Sequence, residues 1–306
     1  MVMPDTIIPA ADGTPLKAYL AIPAEAGPRP GVVVIQDALG LTRALREHAD
    51  RLASYGYLAV APDLYTRGGM LRCVQATFRS LFSGQGLAYD DIESSRSWLL
   101  GRDDCSGRVG VIGFCMGGGF ALMTASRGFD ASAPNYGQLP KDLDTALNSA
   151  CPVVGSYGAR DRMLKGAAAK LEAALTERGI PHDVKEYPDA GHSFLEQFPV
   201  GPLAPVLRVA GMGHEAASAD DAWRRIRGFF DEHLAPASLP RQLPGEERVA
   251  DQPGPVGDQH HRRDSSRWPE ATGRCPRRGP GAAPVGRAGR EGRADPVLYP
   301  QAAGEP

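Results

Sequence analysis

The sequence predicts an α/β fold: a mostly parallel central sheet with helices on both faces and an N-terminal β-hairpin. Three observations predict it. Short apolar runs alternate with helix-length stretches from Gly31 to His233, the pattern of strands linked by crossover helices. Several runs are β-branched and unbroken, as expected of strands covered on both faces. Before them, two short apolar runs flank Asp12-Gly13, a dipeptide that supplies the positive φ of a tight turn.

Taken in order, Thr6 to Pro9 and Leu16 to Ile22 form the hairpin, and Gly31 to Ile35 forms a central strand. Thr42 to Ser54 places Leu45, Ala49, Leu52 and Ala53 on one helix face with Thr42 as cap. Tyr57 to Ala61 is the next strand. After Pro62-Asp63 the pattern is poorly periodic to about Gly86; a helix is expected from Tyr89 to Leu100 and a strand from Val109 to Phe114. Helix Gly117 to Ser126, strands Ala131 to Tyr136 and Pro152 to Tyr157, helix Ala167 to Arg178, strand Asp183 to Tyr187 and a helix around Ala219 to His233 complete the series. The domain is expected to occupy residues 1–234.

From about Ala235 the composition shifts to Pro, Gly and Arg without lysine and with few aliphatic residues. Such a segment buries too little apolar surface to offset its chain entropy, so 235–306 is expected to be a disordered tail. Its arginines are interleaved with Glu246, Glu247, Asp251, Asp258, Asp264, Glu270, Glu291 and Asp295, which leaves no basic block. With a net charge of -2 for the whole chain, no nucleic-acid partner is expected. Five cysteines in no paired or metal-ligand spacing favour a reducing compartment. Met1 to Ala11 lacks a signal-peptide pattern, and no apolar run reaches about 18 residues. The expectation is a cytoplasmic protein with no membrane contact.

The chemistry-bearing residues follow strand ends. Gly113-Phe114-Cys115-Met116-Gly117 leaves a buried strand and opens a helix, the G-x-nucleophile-x-G elbow with Cys in place of Ser. The crowded turn favours residues without Cβ beside the nucleophile, and the helix N-terminus favours a thiolate. Alone, the pattern fits an inert buried Cys at a glycine-rich turn equally well. Asp161 follows the strand Pro152 to Tyr157, where it could serve equally as a helix cap. His192 follows the strand Asp183 to Tyr187. The chain order nucleophile, acid, base on alternating strands and helices is that of the α/β-hydrolase fold.

In that arrangement His192 takes or shares the thiol proton and Asp161 fixes its tautomer. Cys115 attacks an acyl carbon, and the backbone N–H groups of Met116 and Ala38 hold the oxyanion. The other histidines form no rival site: His48 lies in a helix with charged neighbours, His182 precedes a strand, His233 is near a helix end, and His260 with His261 lies in the tail. No cofactor or metal is expected.

Four stretches together, Val34 to Leu41, Ala59 to Tyr65, Val111 to Gly118 and Ala190 to Phe194, resemble the dienelactone hydrolase family over roughly Pro4 to Leu234. The resemblance implies a compact, lidless, monomeric enzyme that opens an unsaturated lactone during degradation of chlorinated aromatics; the residues themselves point to a small ester or lactone cleaved through a thioester that water then hydrolyses. Two positions depart from the family pattern. The family has Gln-Glu after the first central strand, its Glu interacting with the resting thiol; here the pair is Gln36-Asp37. The family's dienelactone enzymes carry an Arg three residues after the loop Ser to bind a substrate carboxylate; that place holds Glu196.

Glu196 would repel an anionic substrate unless it turned away or Arg72 or Arg79 compensated. Ser193 is either a substrate hydrogen-bond donor or a loop cap, and Tyr65 either lines the pocket or packs the core. The alternatives to a lactone hydrolase are a general carboxylesterase or thioesterase, and a non-catalytic small-molecule-binding member of the fold.

Overall fold

The computed structural model describes residues 5–196 and 213–235. The expected tail, 235–306, including His260 and His261, lies outside the described residues apart from Ala235. Eight strands form one sheet in the order β1-β2-β4-β3-β5-β6-β7-β8. They are β1 (Asp5–Pro9), β2 (Pro15–Ala21), β3 (Arg29–Ile35), β4 (Leu58–Pro62), β5 (Cys105–Phe114), β6 (Ala131–Asn135), β7 (Val153–Gly158) and β8 (His182–Tyr187). The β1–β2 hairpin is antiparallel and joins β4 antiparallel; every other pairing is parallel. At the hairpin turn Gly13 takes φ 81, and the Asp12 carboxylate accepts the Thr14 N–H at 2.9 Å.

Among the described residues the helices are α1 (Arg43–Ser54), α2 (Met70–Ser83), α3 (Leu87–Leu100), α4 (Met116–Thr124), α5 (Leu143–Ala146), α6 (Ala167–Glu177) and α7 (Ala216–His233). Thr42 caps α1, its Oγ1 accepting the Leu45 N–H. A 3₁₀ turn spans Arg162–Leu164.

Successive side chains of a strand point to opposite faces, and the central strands use both. Val32 and Val34 of β3, with Ile112 and Phe114 of β5, pack in one apolar cluster with side chains of α1, α6 and α7. Val33, Ile35, Val109 and Val111 pack in a second with α2 and α3. This two-sided burial is why the strands read as unbroken apolar runs.

One expectation is corrected. The stretch after Asp63, read as lacking periodicity, contains the 14-residue helix α2. Its inward residues Cys73, Val74, Thr77, Phe78 and Leu81 do recur at helical spacing. Leu71 and Phe82 point to solvent, exposed by 88% and 65%, and blur that stripe. The short α5 was not anticipated either.

Candidate active site

Parallel strands deliver their C-terminal ends to one edge of the sheet, where loops can converge. Five neighbouring strands do so here. Asp37 and Ala38 follow β3, Cys115 follows β5, Tyr136 follows β6, Asp161 follows β7 and His192 follows β8.

Cys115 sits between β5 and α4 at φ 55, ψ −116, a conformation that costs an L-residue energy and persists only where surroundings impose it. The surroundings are backbone. A Cβ on Gly113 would lie 1.9 Å from the Gly117 carbonyl oxygen, and one on Gly117 would lie 2.4 Å from that of Ile35. Both flanking glycines are therefore required by contact. Of the four described non-glycine residues with positive φ, Cys115, Tyr136 and Ser193 all lie at this sheet edge.

The Asp161 and His192 loops are tied together by the Arg160 N–H, which donates to the Ala190 carbonyl at 2.9 Å. The His192 Nδ1–H donates to Asp161 Oδ2 at 2.6 Å, both side chains buried. Asp161 also accepts the Met163 N–H on Oδ1, capping the 3₁₀ turn. Its two oxygens thus bond separately, one to the histidine ring and one to the turn. Burial pushes the His192 imidazole down, but the Asp161 hydrogen bond and the adjoining Cys115 sulfur outweigh it and raise it to about 10.

Met116 is the first residue of α4, so its N–H has no partner within the helix. On the opposing loop, Tyr65 fixes Ala38: its hydroxyl donates to the Ala38 carbonyl at 3.0 Å, and its ring packs against Gly40. Tyr65 is buried in the second apolar cluster, as the core-packing reading has it, and its hydroxyl in addition ties down the Ala38 loop. The Asp37 carboxylate accepts the Leu39 N–H at 2.8 Å. Burial raises Asp37 above the ordinary carboxylate range, partly offset by the Leu39 and Gly40 N–H groups and by His192. Its carboxylate thus organises its own turn while facing the histidine.

Glu196 is turned inward and 3% exposed. The Tyr136 hydroxyl donates to its Oε1 at 3.4 Å, and burial, reinforced by Asp37, pushes it up to about 8. Arg72 and Arg79 lie exposed on α2, and among the described residues neither forms an ion pair with Glu196. Ser193 at φ 61 begins the turn closed by the Glu196 N–H on the Ser193 carbonyl.

Tyr136 was not singled out from the sequence. It is fully buried, and its ring meets the His192 ring edge-on at 5.3 Å. The signal was available: it ends the strand beside the elbow, at the same sheet edge. Also unforeseen, Gly213 and Glu215 donate their N–H groups to the carbonyls of His192 and Phe194, so the chain entering α7 braces the histidine loop.

The model of the dienelactone hydrolase family matches residues 16–234. A protein of Escherichia coli (strain K12) named "Putative carboxymethylenebutenolidase" is 31% identical over 257 residues, 76% of this chain and 88% of its own length. One of the same name from Methylorubrum extorquens is 30% identical over 244 residues, 74% of this chain and 79% of its own. The solved structure of a "Putative Dienelactone Hydrolase" from Klebsiella pneumoniae subsp. pneumoniae MGH 78578 superposes with a TM-score of 0.61 at 29% identity, covering 75% of this chain and 98% of that one. The chain belongs to the dienelactone hydrolase family, and its fold is that of the α/β hydrolases.

Proposed function

We propose that this member of the dienelactone hydrolase family cleaves small carboxylic esters or lactones through a Cys115–His192–Asp161 triad and a thioester intermediate. The observation that carries it is the strained Cys115 beside an imidazole whose far nitrogen is held 2.6 Å from a buried Asp161.

The thiol proton passes to His192, and the sulfur attacks the acyl carbon to give a tetrahedral oxyanion. The Met116 and Ala38 N–H groups receive that oxyanion, Ala38 being held in place by Tyr65. Collapse forms the Cys115 thioester and expels the alkoxide, which takes the proton back from His192. His192 then removes a proton from water, which attacks the thioester and releases the carboxylic acid and the thiol. Asp161 keeps the imidazole in one tautomer throughout.

Steady-state hydrolysis of p-nitrophenyl acetate and of a dienelactone-type lactone tests the proposal. Turnover of at least one is expected, with loss of turnover after iodoacetamide and in Cys115→Ala. A folded Cys115→Ala variant that retains wild-type rates rules out the thiol mechanism. A folded wild type inactive on both substrates favours the binding-protein alternative.

A further inference from the structure

Besides Asp161, two carboxyl groups are buried around the reacting pair, and they come from different loops. Asp37 enters from the loop after β3 and Glu196 from the turn after His192. Glu196 Oε1 accepts from the Tyr136 hydroxyl, while its Oε2 is buried without a hydrogen-bond partner among the described residues. The groups that face Glu196 are Asp37, His192 and Tyr136, and Tyr136 in turn faces Cys115 and Asp37. No lysine or arginine of the described residues is among them.

A buried carboxylate with one unpaired oxygen and another carboxyl nearby has only the His192 ring to favour its charge, and burial outweighs that. Adding that charge also makes the surroundings of the thiol more negative, in a site where water screens weakly. The effect is through space and needs no contact between Glu196 and the incoming molecule.

We propose that Glu196, paired with Tyr136, determines specificity by sorting electrophiles by charge at the Cys115 thiol. With its proton in place the pair admits carboxylate-bearing acyl compounds. With the proton gone the site takes uncharged esters and lactones and turns anions away. The inference rests on Cys115 being the reacting group. The raised Glu196 carboxyl places the change near pH 8, within the working range of a hydrolase.

Two alkylating reagents of nearly equal size test this without turnover: iodoacetamide, which is neutral, and iodoacetate, which is an anion. Both consume the same thiolate, so the ionisation of Cys115 cancels in the ratio of their rates. Modification of Cys115 is followed by peptide mass spectrometry from pH 6.5 to 9.5, with N-acetylcysteine as the unstructured reference. The ratio of amide to acetate rates, relative to the reference, is expected to rise by about tenfold as pH passes through 8. In Glu196→Gln, which keeps an acceptor for Tyr136 but cannot ionise, the ratio should stay flat.

A flat ratio in the wild type, or a rise that survives in Glu196→Gln, overturns the inference. Hydrolysis of p-nitrophenyl acetate in the same preparations separates this from failure of the hydrolase proposal. Absent turnover with the rising ratio intact strikes the hydrolase proposal alone; normal turnover with a flat ratio strikes the charge filter alone.

Discussion

Among the described residues, His192 and His48 carry opposite perturbations, although both imidazoles are buried. His192 is raised to about 10 because Asp161 and Cys115 supply the negative charge that burial alone would forbid. His48 has no such partner and is depressed to about 3, first by burial and then by Arg51. The difference lies in neighbours, which makes His192 testable by removing one. In Cys115→Ala the sulfur's interactions with the ring disappear, so the His192 titration should move downward while the Asp161 bond keeps it from falling as far as His48. Imidazole NMR titration from pH 5 to 10.5 reads this directly, and an unchanged His192 midpoint in Cys115→Ala would show that the thiol does not interact with the ring. The proposed triad was legible in the sequence because each of its members follows a strand in a recognisable order. Tyr136 was not, because a tyrosine at a strand end has no motif and its role depends on the Glu196 carboxyl, 60 residues away.

At the level of elements, what positions Cys115 is backbone packed on backbone. Gly113, Gly117 and Gly118 each leave so little room that an added Cβ would come within 1.9 to 2.4 Å of a carbonyl oxygen. Gly228, on the exposed side of α7, has nothing within 4 Å of that position and no positive φ. The same substitution should therefore act in opposite directions at the two places. Gly113→Ala is expected to lower stability by about 3 kcal/mol or more, since backbone must move to relieve the overlap. Gly228→Ala should raise it by about 0.5–1 kcal/mol through helix propensity. Urea unfolding of both variants decides; a neutral Gly113→Ala would mean that the elbow is looser than its contacts indicate. The glycine pattern was readable from the sequence because close approach leaves that trace. α2 was harder, since Met70, Leu71 and Phe82 place apolar side chains on its outer side as well, and a one-sided stripe is what periodicity detects. Its brackets, Gly69 before and Gly84 after in the left-handed region, offered a better signal than its hydrophobicity.

At the scale of the whole molecule, the pH dependence of stability follows from how the fold treats its buried ionisable groups. His48 of α1 stacks on Phe114 of β5 at 4.2 Å and leans against Trp223 of α7 at 5.4 Å, so it joins the two layers beneath the nucleophile. Its Nε2 has no hydrogen-bond partner among the described residues. Because its folded value is depressed from 6.5 to about 3, the unfolded chain binds a proton in that interval that the folded protein refuses. Its contribution is thus complete above about pH 6.5 and is lost as pH falls, by roughly 1.4 kcal/mol per unit. Glu196 acts in the other direction: raised from 4.5 to about 8, it holds a proton in the fold that the unfolded chain has released, so stability drops as pH climbs between those values. His192, raised from 6.5 to about 10, likewise stabilises fully below 6.5 and loses that contribution as pH rises through 10. The opposing slopes overlap between about pH 4.5 and 6.5, so wild-type stability alone would conceal the histidine. His48→Phe isolates it, since the ring and its stacking remain while the titration is removed. The variant's stability relative to wild type should grow steadily as pH is lowered from 6.5, measured by denaturant unfolding at fixed ionic strength. A difference that stays constant across that range would mean that His48 gains a proton without cost in the folded state, and that the layer beneath Cys115 admits water or an anion.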